Sequence, residues 1–157
     1  QYLIEKGSDV SYSEITGWWK DTGQPSDLLD ANHLILDNIK GKNDGDVDSV
    51  SSISGEVIIG KGCKIINSTI KGPTIIDSGT IITDSNIASF SSIGKNCIIN
   101  NSNIESSIIM EGCELKGVDK NIKSSLLGKN VKVINSNPKL NSTTLLLGDQ
   151  SYIETID

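Results

Sequence analysis

The sequence predicts a mainly β protein built as a parallel solenoid, in which short strands wind around a triangular prism. A repeat of about seventeen residues starts at Ile59, and each repeat divides into three steps of five or six residues. Aliphatic residues return at the same three places in successive repeats. They form three ladders, which are Ile59, Ile76, Ile93, Ile109 and Leu127; Ile65, Ile82, Ile99, Leu115 and Val133; and Ile70, Ile87, Ile104 and Ile122.

The step length predicts a strand of about three residues followed by a tight corner, because a helical turn of about 3.6 residues cannot keep one face at this spacing. Three steps close one coil, and stacked coils bury an aliphatic column that no single coil could bury alone. Five coils are expected from Val57 to about Asn137. A partial first coil is expected through Val47 and Ile53, and an irregular last coil over 140–147.

A fourth position in the repeat carries compact side chains, which suits an inward corner where walls converge. Its members are Cys63, Thr80, Cys97, Cys113 and Val131. Because the three cysteines share this position in different coils, they are predicted to be small apolar filler, with neither a disulfide nor a metal site. Free thiols favour a reducing compartment, so a cytoplasmic location is expected.

The composition changes near residues 41–46, where GKNDGD predicts a linker between a leading region, 1–40, and the β-helix, 47–157. The formal net charge of −6 disfavours nucleic acid as a partner. No apolar run is long enough for a membrane span, so no membrane partner is expected.

The leading region predicts a helix, a strand and a second helix. Residues 1–6 end at Gly7, which is typical of a helix C-terminus, and residues 10–16 alternate like a strand. Pro25 suits the first position of a helix. Because the chain opens on a helix tail without an initiator Met, it is expected to be cut from a longer protein. The second helix carries an apolar stripe of Leu28, Ala31, Ile35 and Ile39, widened by Leu29 and Leu36.

The sequence GWWKDTG occupies residues 17–23 and is followed by PSDLLDAN at 25–32. Together with the hexapeptide repeats that follow, it resembles glucose-1-phosphate thymidylyltransferases, a group of sugar-1-phosphate nucleotidyltransferases. The resemblance implies that residues 1–40 form the C-terminal end of an α/β nucleotidyltransferase domain. It also implies that the β-helix is left-handed, which periodicity alone does not establish.

The resemblance further implies an enzyme that joins a nucleoside triphosphate, dTTP, to a sugar 1-phosphate, glucose 1-phosphate, with release of pyrophosphate. Asp21 would then be a ligand of the catalytic Mg²⁺; the alternative is that it caps a turn with Thr22 and Gly23. Trp18 and Trp19 are candidates for sugar contact or for core packing. Because the family's glycine-rich nucleotide loop is absent, the fragment alone is expected to be inactive.

Two other functions remain open at this point. The chain could be a hexapeptide-repeat acyltransferase, as in bifunctional uridylyltransferase/acetyltransferases. Such enzymes use His as a general base, and the chain's one histidine, His33, lies outside the repeats, which disfavours acetyl transfer. The chain could instead be an assembly module without a ligand. A homo-oligomer is expected in either case, with a trimer along the prism axis as the first candidate.

Overall fold

The computed structural model describes residues 2–9, 11–17, 19, 21–118 and 120–135. In this part of the chain two helices precede seventeen short strands, β1 to β17 in chain order. Helix α1 spans Tyr2–Glu5 and helix α2 spans Pro25–Leu36. The strands form three parallel sheets, which we name walls A, B and C.

Each wall collects every third strand, so one strand from each wall makes up one coil. Wall A contains β1 (Lys42–Asn43), β4 (Val57–Ile59), β7 (Thr74–Ile76), β10 (Ser91–Ile93), β13 (Ile108–Ile109) and β16 (Leu126–Leu127). Wall B contains β2 (Asp46–Val47), β5 (Lys64–Ile66), β8 (Ile81–Thr83), β11 (Ile98–Asn100), β14 (Glu114–Lys116) and β17 (Lys132–Ile134). Wall C contains β3 (Ser52–Ser54), β6 (Thr69–Lys71), β9 (Asn86–Ile87), β12 (Asn103–Glu105) and β15 (Ile122–Lys123). The predicted parallel solenoid is therefore confirmed.

The three aliphatic ladders are in register in the structure. Ile59 pairs with Ile76 on wall A, and the equivalent pairing continues to Leu127. The wall B and wall C ladders pair in the same way. Twelve large aliphatic side chains are less than 2% exposed, and eleven of them belong to these ladders. The predicted aliphatic column is the hydrophobic core of the protein.

A column of buried serines lies beside the aliphatic column, at the corner between walls B and C. Ser68, Ser85 and Ser102 follow a residue whose φ is positive in each coil. The Ser68 hydroxyl donates to the Ile66 carbonyl at 2.7 Å and accepts the Ser85 backbone N–H of the next coil at 3.1 Å. Each hydroxyl thus closes its own corner and joins two coils.

The corner between walls A and B depends on glycine and asparagine. Gly79 has a φ of +73° and Asn96, one coil later, has a φ of +54°. A side chain at Gly79 would collide with the Asn96 side-chain oxygen. Gly112 and Asn130 repeat this arrangement in the last two described coils. Glycine suits position 79 because it adopts a positive φ without strain and leaves room for the Asn96 side chain.

Strand pairing begins inside residues 41–46, the segment for which the sequence predicts a linker. Strand β1 pairs with β4, and β2 pairs with β5, so the first coil carries a strand on each wall. Val47 of β2 packs against the core. Gly45 permits this close stacking, because a Cβ there would lie 2.8 Å from Ile59 Cγ2.

The leading region agrees with the sequence prediction in its first helix and differs in its strand. Helix α1 ends at Glu5 and is closed by Gly7, whose φ is +72° and whose N–H donates to the Ile4 carbonyl at 3.0 Å. The predicted strand over residues 10–16 is wrong for the described residues 11–16, which form no strand. They lack a neighbouring strand to pair with, and alternation alone does not supply one. Every described residue between 2 and 26 is exposed.

Helix α2 lies on the outer face of wall A. The Asn32 amide donates to the Phe90 carbonyl at 3.0 Å, and its oxygen accepts the Ser92 hydroxyl at 2.6 Å. Leu36 is 1% exposed, whereas Ile35 is 54% exposed. The predicted stripe is therefore wrong at Ile35: the packed face is rotated towards Asn32 and Leu36, because wall A offers polar and aromatic partners there.

The irregular last coil predicted over 140–147 lies outside the described residues. The left-handed sense of the β-helix stays a prediction that follows from the resemblance, as does the assignment of residues 1–40 to a nucleotidyltransferase domain. No helix in the described ranges has the length and apolar content that crossing a bilayer requires.

Candidate metal-binding segment

Residues 17–23 form the candidate metal-binding segment, which leads directly into α2. Helix α2 begins at Pro25, and the Gln24 backbone N–H donates to Asp27 Oδ2 at 3.0 Å. This bond fixes the first turn of the helix. The segment is thus attached to a helix that wall A holds in place through Asn32.

Asp21 is exposed, and no hydrogen bond or ion pair joins it to a residue that the structure describes. The alternative in which Asp21 caps a turn with Thr22 and Gly23 therefore has no bond to support it. A Cβ added at Gly23 would lie 3.8 Å from Asp21 Oδ1, so the two residues are close without bonding. The carboxylate is available to a ligand from outside this segment.

One carboxylate fits part of a magnesium site. Mg²⁺ is commonly held by one or two carboxylates together with substrate phosphates and water. Within the described ranges no group of three His, Cys, Asp or Glu side chains could hold a metal ion. Asp21 can therefore supply one ligand, and the remaining ligands have to come from substrate or from other parts of a larger protein.

The structure describes only the second of the two tryptophans of GWWKDTG. Trp18 lies outside the described residues. Trp19 is 72% exposed, so it packs in no core formed by the described chain. The exposed indole is available to a partner surface or a ligand. Asn32 makes a structural polar contact through its bonds to Phe90 and Ser92.

His33 stacks on the ring of Phe90, with 4.3 Å between ring centroids and 11° between ring planes. It lies on α2, outside the prism, as the sequence indicates. The contact holds the helix against the wall, and it places the imidazole in an aromatic stack. A general base needs the imidazole within hydrogen-bond reach of a substrate proton, whereas the His33 ring lies outside the prism and is stacked on Phe90.

The three cysteines are free and buried, as predicted for filler. Each Sγ donates to a carbonyl of the following coil: Cys63 to Asp77 at 3.0 Å, and Cys113 to Gly128 at 3.0 Å. Cys97 repeats this contact one coil along. Burial is the main cause that raises the pKa of all three thiols. They are therefore protonated at neutral pH and unsuited to act as nucleophiles.

The coils, the ladders in register and the tight corners define a parallel β-helix protein of the hexapeptide-repeat class. The chain is 38% identical over 151 residues to a glucose-1-phosphate thymidylyltransferase of Streptomyces griseus, a match covering 96% of this chain and 42% of the relative. It is 40% identical over 154 residues to a glucose-1-phosphate thymidylyltransferase of Streptomyces antibioticus, covering 98% of this chain and 43% of the relative. The matches lie in the C-terminal part of these relatives.

These matches confirm the resemblance carried by GWWKDTG and the repeats. The chain spans less than half the length of the two relatives. A solved hexapeptide transferase family protein from Anaplasma phagocytophilum is 22% identical, with 57% of this chain and 69% of that chain covered and a TM-score of 0.18. That overlap adds nothing to the fold assignment, which rests on the strand pairing. No protein-family model matches the sequence.

Proposed function

We propose that this chain is the C-terminal part of an enzyme that joins dTTP to glucose 1-phosphate and releases pyrophosphate. The observation that carries the proposal is the extent of the two matches. At 96% and 98% of the chain, they run through the leading region as well as through the solenoid. A solenoid shared for its fold alone would not extend the match through GWWKDTG and α2.

The exposed leading region supports a larger protein around it. Before α2, the large apolar side chains that the structure describes are between 60% and 94% exposed, far more than a finished protein surface usually leaves in one segment. They are Tyr2, Leu3, Ile4, Tyr12, Ile15 and Trp19. Under the proposal, these side chains pack into the α/β domain whose C-terminal end they form.

Asp21 is the residue of this chain that would touch the reacting groups. A phosphate oxygen of the sugar attacks the α-phosphorus of the triphosphate, and the bond from that phosphorus to the bridging oxygen of pyrophosphate breaks. Mg²⁺, when bound, screens the phosphates and stabilises the charge of the transition state. Asp21 contributes one oxygen ligand. Its position depends on α2, and through Asn32 on the solenoid.

The solenoid itself serves as a scaffold and as an assembly surface under this proposal. Its interior is filled by the aliphatic ladders, and its three thiols are protonated. The acyltransferase alternative requires a base, and the chain's one histidine is stacked on Phe90. We therefore propose no acyl transfer. Three free thiols support a cytoplasmic location for the enzyme.

Replacement of Asp21 tests the catalytic part of the proposal. Asp21→Asn removes one ligand charge in the full-length protein that carries this chain. Because metal charge stabilisation amounts to several kcal/mol, we expect kcat/KM for pyrophosphate release from dTTP and glucose 1-phosphate to fall about 100-fold or more. The 157-residue chain by itself should show no activity.

The matched control is Asp9→Asn, which makes the same chemical change at another exposed position of the leading region. It should keep kcat/KM within about twofold of the unsubstituted enzyme. The metal-ligand role fails if Asp21→Asn retains kcat/KM at the level of this control. The enzyme assignment fails if the full-length protein releases no pyrophosphate from any nucleoside triphosphate and sugar 1-phosphate pair.

A further inference from the structure

Helix α2 carries apolar side chains on a side that the solenoid does not cover. Successive residues of a helix are turned by about 100°, so Asn32, which bonds wall A, shares one side of α2 with buried Leu36. Ala31, Leu34 and Ile35 lie on the far side and on one flank, and we call them the outer stripe. Leu34 is 40% exposed and Ile35 is 54% exposed. The outer stripe is therefore an apolar surface without a cover in this chain.

The other flank of α2 is polar. It consists of Ser26, Asp30 and Asp37, which are all exposed. The polar residues on the far side, Asp27 and Asn38, lie at the two ends, where they bond backbone groups of the helix and its cap. A helix that meets solvent everywhere except at one packed face is normally polar outside that face. Helix α2 is polar on one flank, which is typical of a helix with neighbours on two sides.

We propose that the outer stripe is the docking surface of the catalytic α/β domain that precedes this chain in the full-length protein. Helix α2 then lies between two partners, with wall A on one side and the α/β domain on the other. The inference rests on the proposed function, because that function places the α/β domain upstream of this chain. It adds a defined contact between that domain and the part of α2 that follows GWWKDTG.

The length of the upstream chain supports this occupant. The 151 residues matched in the Streptomyces griseus relative are 42% of its length, so about 200 residues lie outside the match. A domain of about 200 residues has a radius of gyration of roughly 16–17 Å. Helix α2 has twelve residues and is ~18 Å long. The domain is therefore large enough to cover the whole length of the outer stripe.

The point at which the upstream chain joins α2 brings the domain close to the helix. Under the proposed function Asp21 lies in the catalytic site, and α2 begins at Pro25. An extended chain spans at most ~3.6 Å per residue, so Asp21 lies within ~14 Å of the start of α2. A domain of this size with its catalytic site so close extends along a side of α2 that wall A leaves open. Of those sides, the outer stripe is the apolar one.

The C-terminal end of α2 continues into the solenoid without a free linker. The Ile39 N–H donates to the Leu36 carbonyl at 3.2 Å, and the Gly41 N–H donates to the Glu56 carboxylate. Strand β1 begins at the next residue. A domain docked on the outer stripe therefore takes a fixed position relative to wall A, separated from it by about one helix diameter, ~10 Å.

A single occupant accounts for two exposed apolar surfaces. Ile15 and Trp19 are 68% and 72% exposed, and the proposed function already assigns them to the α/β domain. The outer stripe follows them along the chain and has the same apolar character. A second copy of this chain bound at the outer stripe would leave Ile15 and Trp19 unexplained, so we infer the α/β domain as the partner.

Cysteine labelling measures whether the outer stripe is covered. Ile35→Cys is introduced into the 157-residue chain and into the full-length protein, and both are treated with N-ethylmaleimide. The new thiol should react freely in the 157-residue chain and at least about tenfold more slowly in the full-length protein, because the α/β domain covers it. The three native thiols of this chain are buried and should stay unlabelled. Peptide mass spectrometry identifies the labelled position.

Ser26→Cys is the matched control, because Ser26 is an exposed residue on the polar flank of the same helix. Its labelling rates in the two proteins should agree within about twofold. Equal rates for Ile35→Cys in the two proteins would overturn the proposal. Slow labelling of Ser26→Cys in the full-length protein would also overturn it, since the domain would then cover the polar flank. Protection of Ile35→Cys in the short chain that grows with protein concentration would assign the stripe to a second copy instead.

A charge placed in the outer stripe tests whether the contact holds α2. In the full-length protein Ile35→Asp should raise amide hydrogen exchange in residues 25–36 at least about tenfold, because a carboxylate cannot be buried against an apolar partner. In the 157-residue chain the same change should stay within about twofold, since Ile35 is half exposed there. Ser26→Asp adds the same charge on the polar flank and should change neither protein. An equal response of the two proteins to Ile35→Asp would contradict docking at the stripe.

Pyrophosphate release, measured on the same preparations, keeps the two proposals separate. An active full-length enzyme in which Ile35→Cys is labelled freely would refute the docking surface and leave the proposed function in place. A full-length protein that protects Ile35→Cys but releases no pyrophosphate would refute the enzyme assignment and support the docking surface.

Discussion

Single hydroxyl groups at the corner between walls B and C stabilise the stacking of coils. Ser85 is nearly buried, and its Oγ donates to the Thr83 carbonyl at 2.7 Å and accepts the Ser102 N–H at 3.2 Å. The Thr83 carbonyl also accepts the Asn101 N–H. The Ser102 N–H has the Ser85 hydroxyl as its partner. Loss of that hydroxyl leaves a buried amide unpaired, which is more costly than loss of the bond alone.

Ser85→Ala is therefore expected to lower the free energy of unfolding by about 1–3 kcal/mol, measured by urea denaturation of the full chain. Ser54→Ala is the matched control, since Ser54 is an exposed serine on the outer face of wall C. The control should stay within about 0.5 kcal/mol of the unsubstituted chain. Equal losses in the two variants would show that the Ser85 hydroxyl does not stabilise the stack.

Some of these residue roles can be predicted from the sequence, and others cannot, for a physical reason. Aliphatic residues that recur at a fixed step through four or five coils are favoured in the interior, so the three ladders can be recognised from the sequence. Serine is equally common at exposed corners, and only the coordinates separate buried Ser68 from exposed Ser54. Asp21 lies in no cluster of described ligands, so its proposed role depends on the sequence around it and could not be derived from spacing alone.

At the scale of elements, α2 is held to the solenoid by a side chain that hydrophobic periodicity disregards. Periodicity assigns Ile35 to the packed stripe, yet Ile35 is exposed while Asn32 bonds Phe90 and Ser92. The orientation of a helix depends on what the opposing surface offers. Wall A presents a carbonyl, a hydroxyl and an aromatic ring at this point, and none of these can be known from the sequence of the helix.

Asn32→Ala is expected to loosen α2 while leaving the solenoid intact. Loss of two bonds to wall A should raise amide hydrogen exchange in residues 25–36 by about 5- to 30-fold, the equivalent of 1–2 kcal/mol. Exchange in the strands around Ile82 and Ile99 should not change. Asn38→Ala is the control, because the Asn38 amide bonds the Leu34 carbonyl of its own helix. Equal protection of α2 in the two variants would contradict a docking role for Asn32.

At the scale of the whole molecule, stability in a solenoid is approximately a sum over coils and the contacts between them. The described residues before α2 are exposed and add little to that sum. Helix α2 differs, since its Leu36 is buried and its Asn32 and His33 contact Phe90 and Ser92 of the solenoid. The described residues 11–16 of the predicted strand form no strand, because outside the stack they have no neighbouring strand with which to pair.

Two truncations should therefore have unequal effects. A chain that starts at Thr22 loses a segment whose described residues are all exposed, and its free energy of unfolding should stay within about 1 kcal/mol of the full chain. A chain that starts at Lys40 also loses α2. Because burial of a leucine alone stabilises by about 1.5–3 kcal/mol, this chain should be at least that much less stable and should self-associate through the uncovered wall A. Urea denaturation and sedimentation velocity measure both effects.

Equal stability of the two truncated chains would mean that α2 does not belong to the folded unit. A large loss of stability in the chain that starts at Thr22 would mean that the residues before α2 contribute contacts to the folded unit.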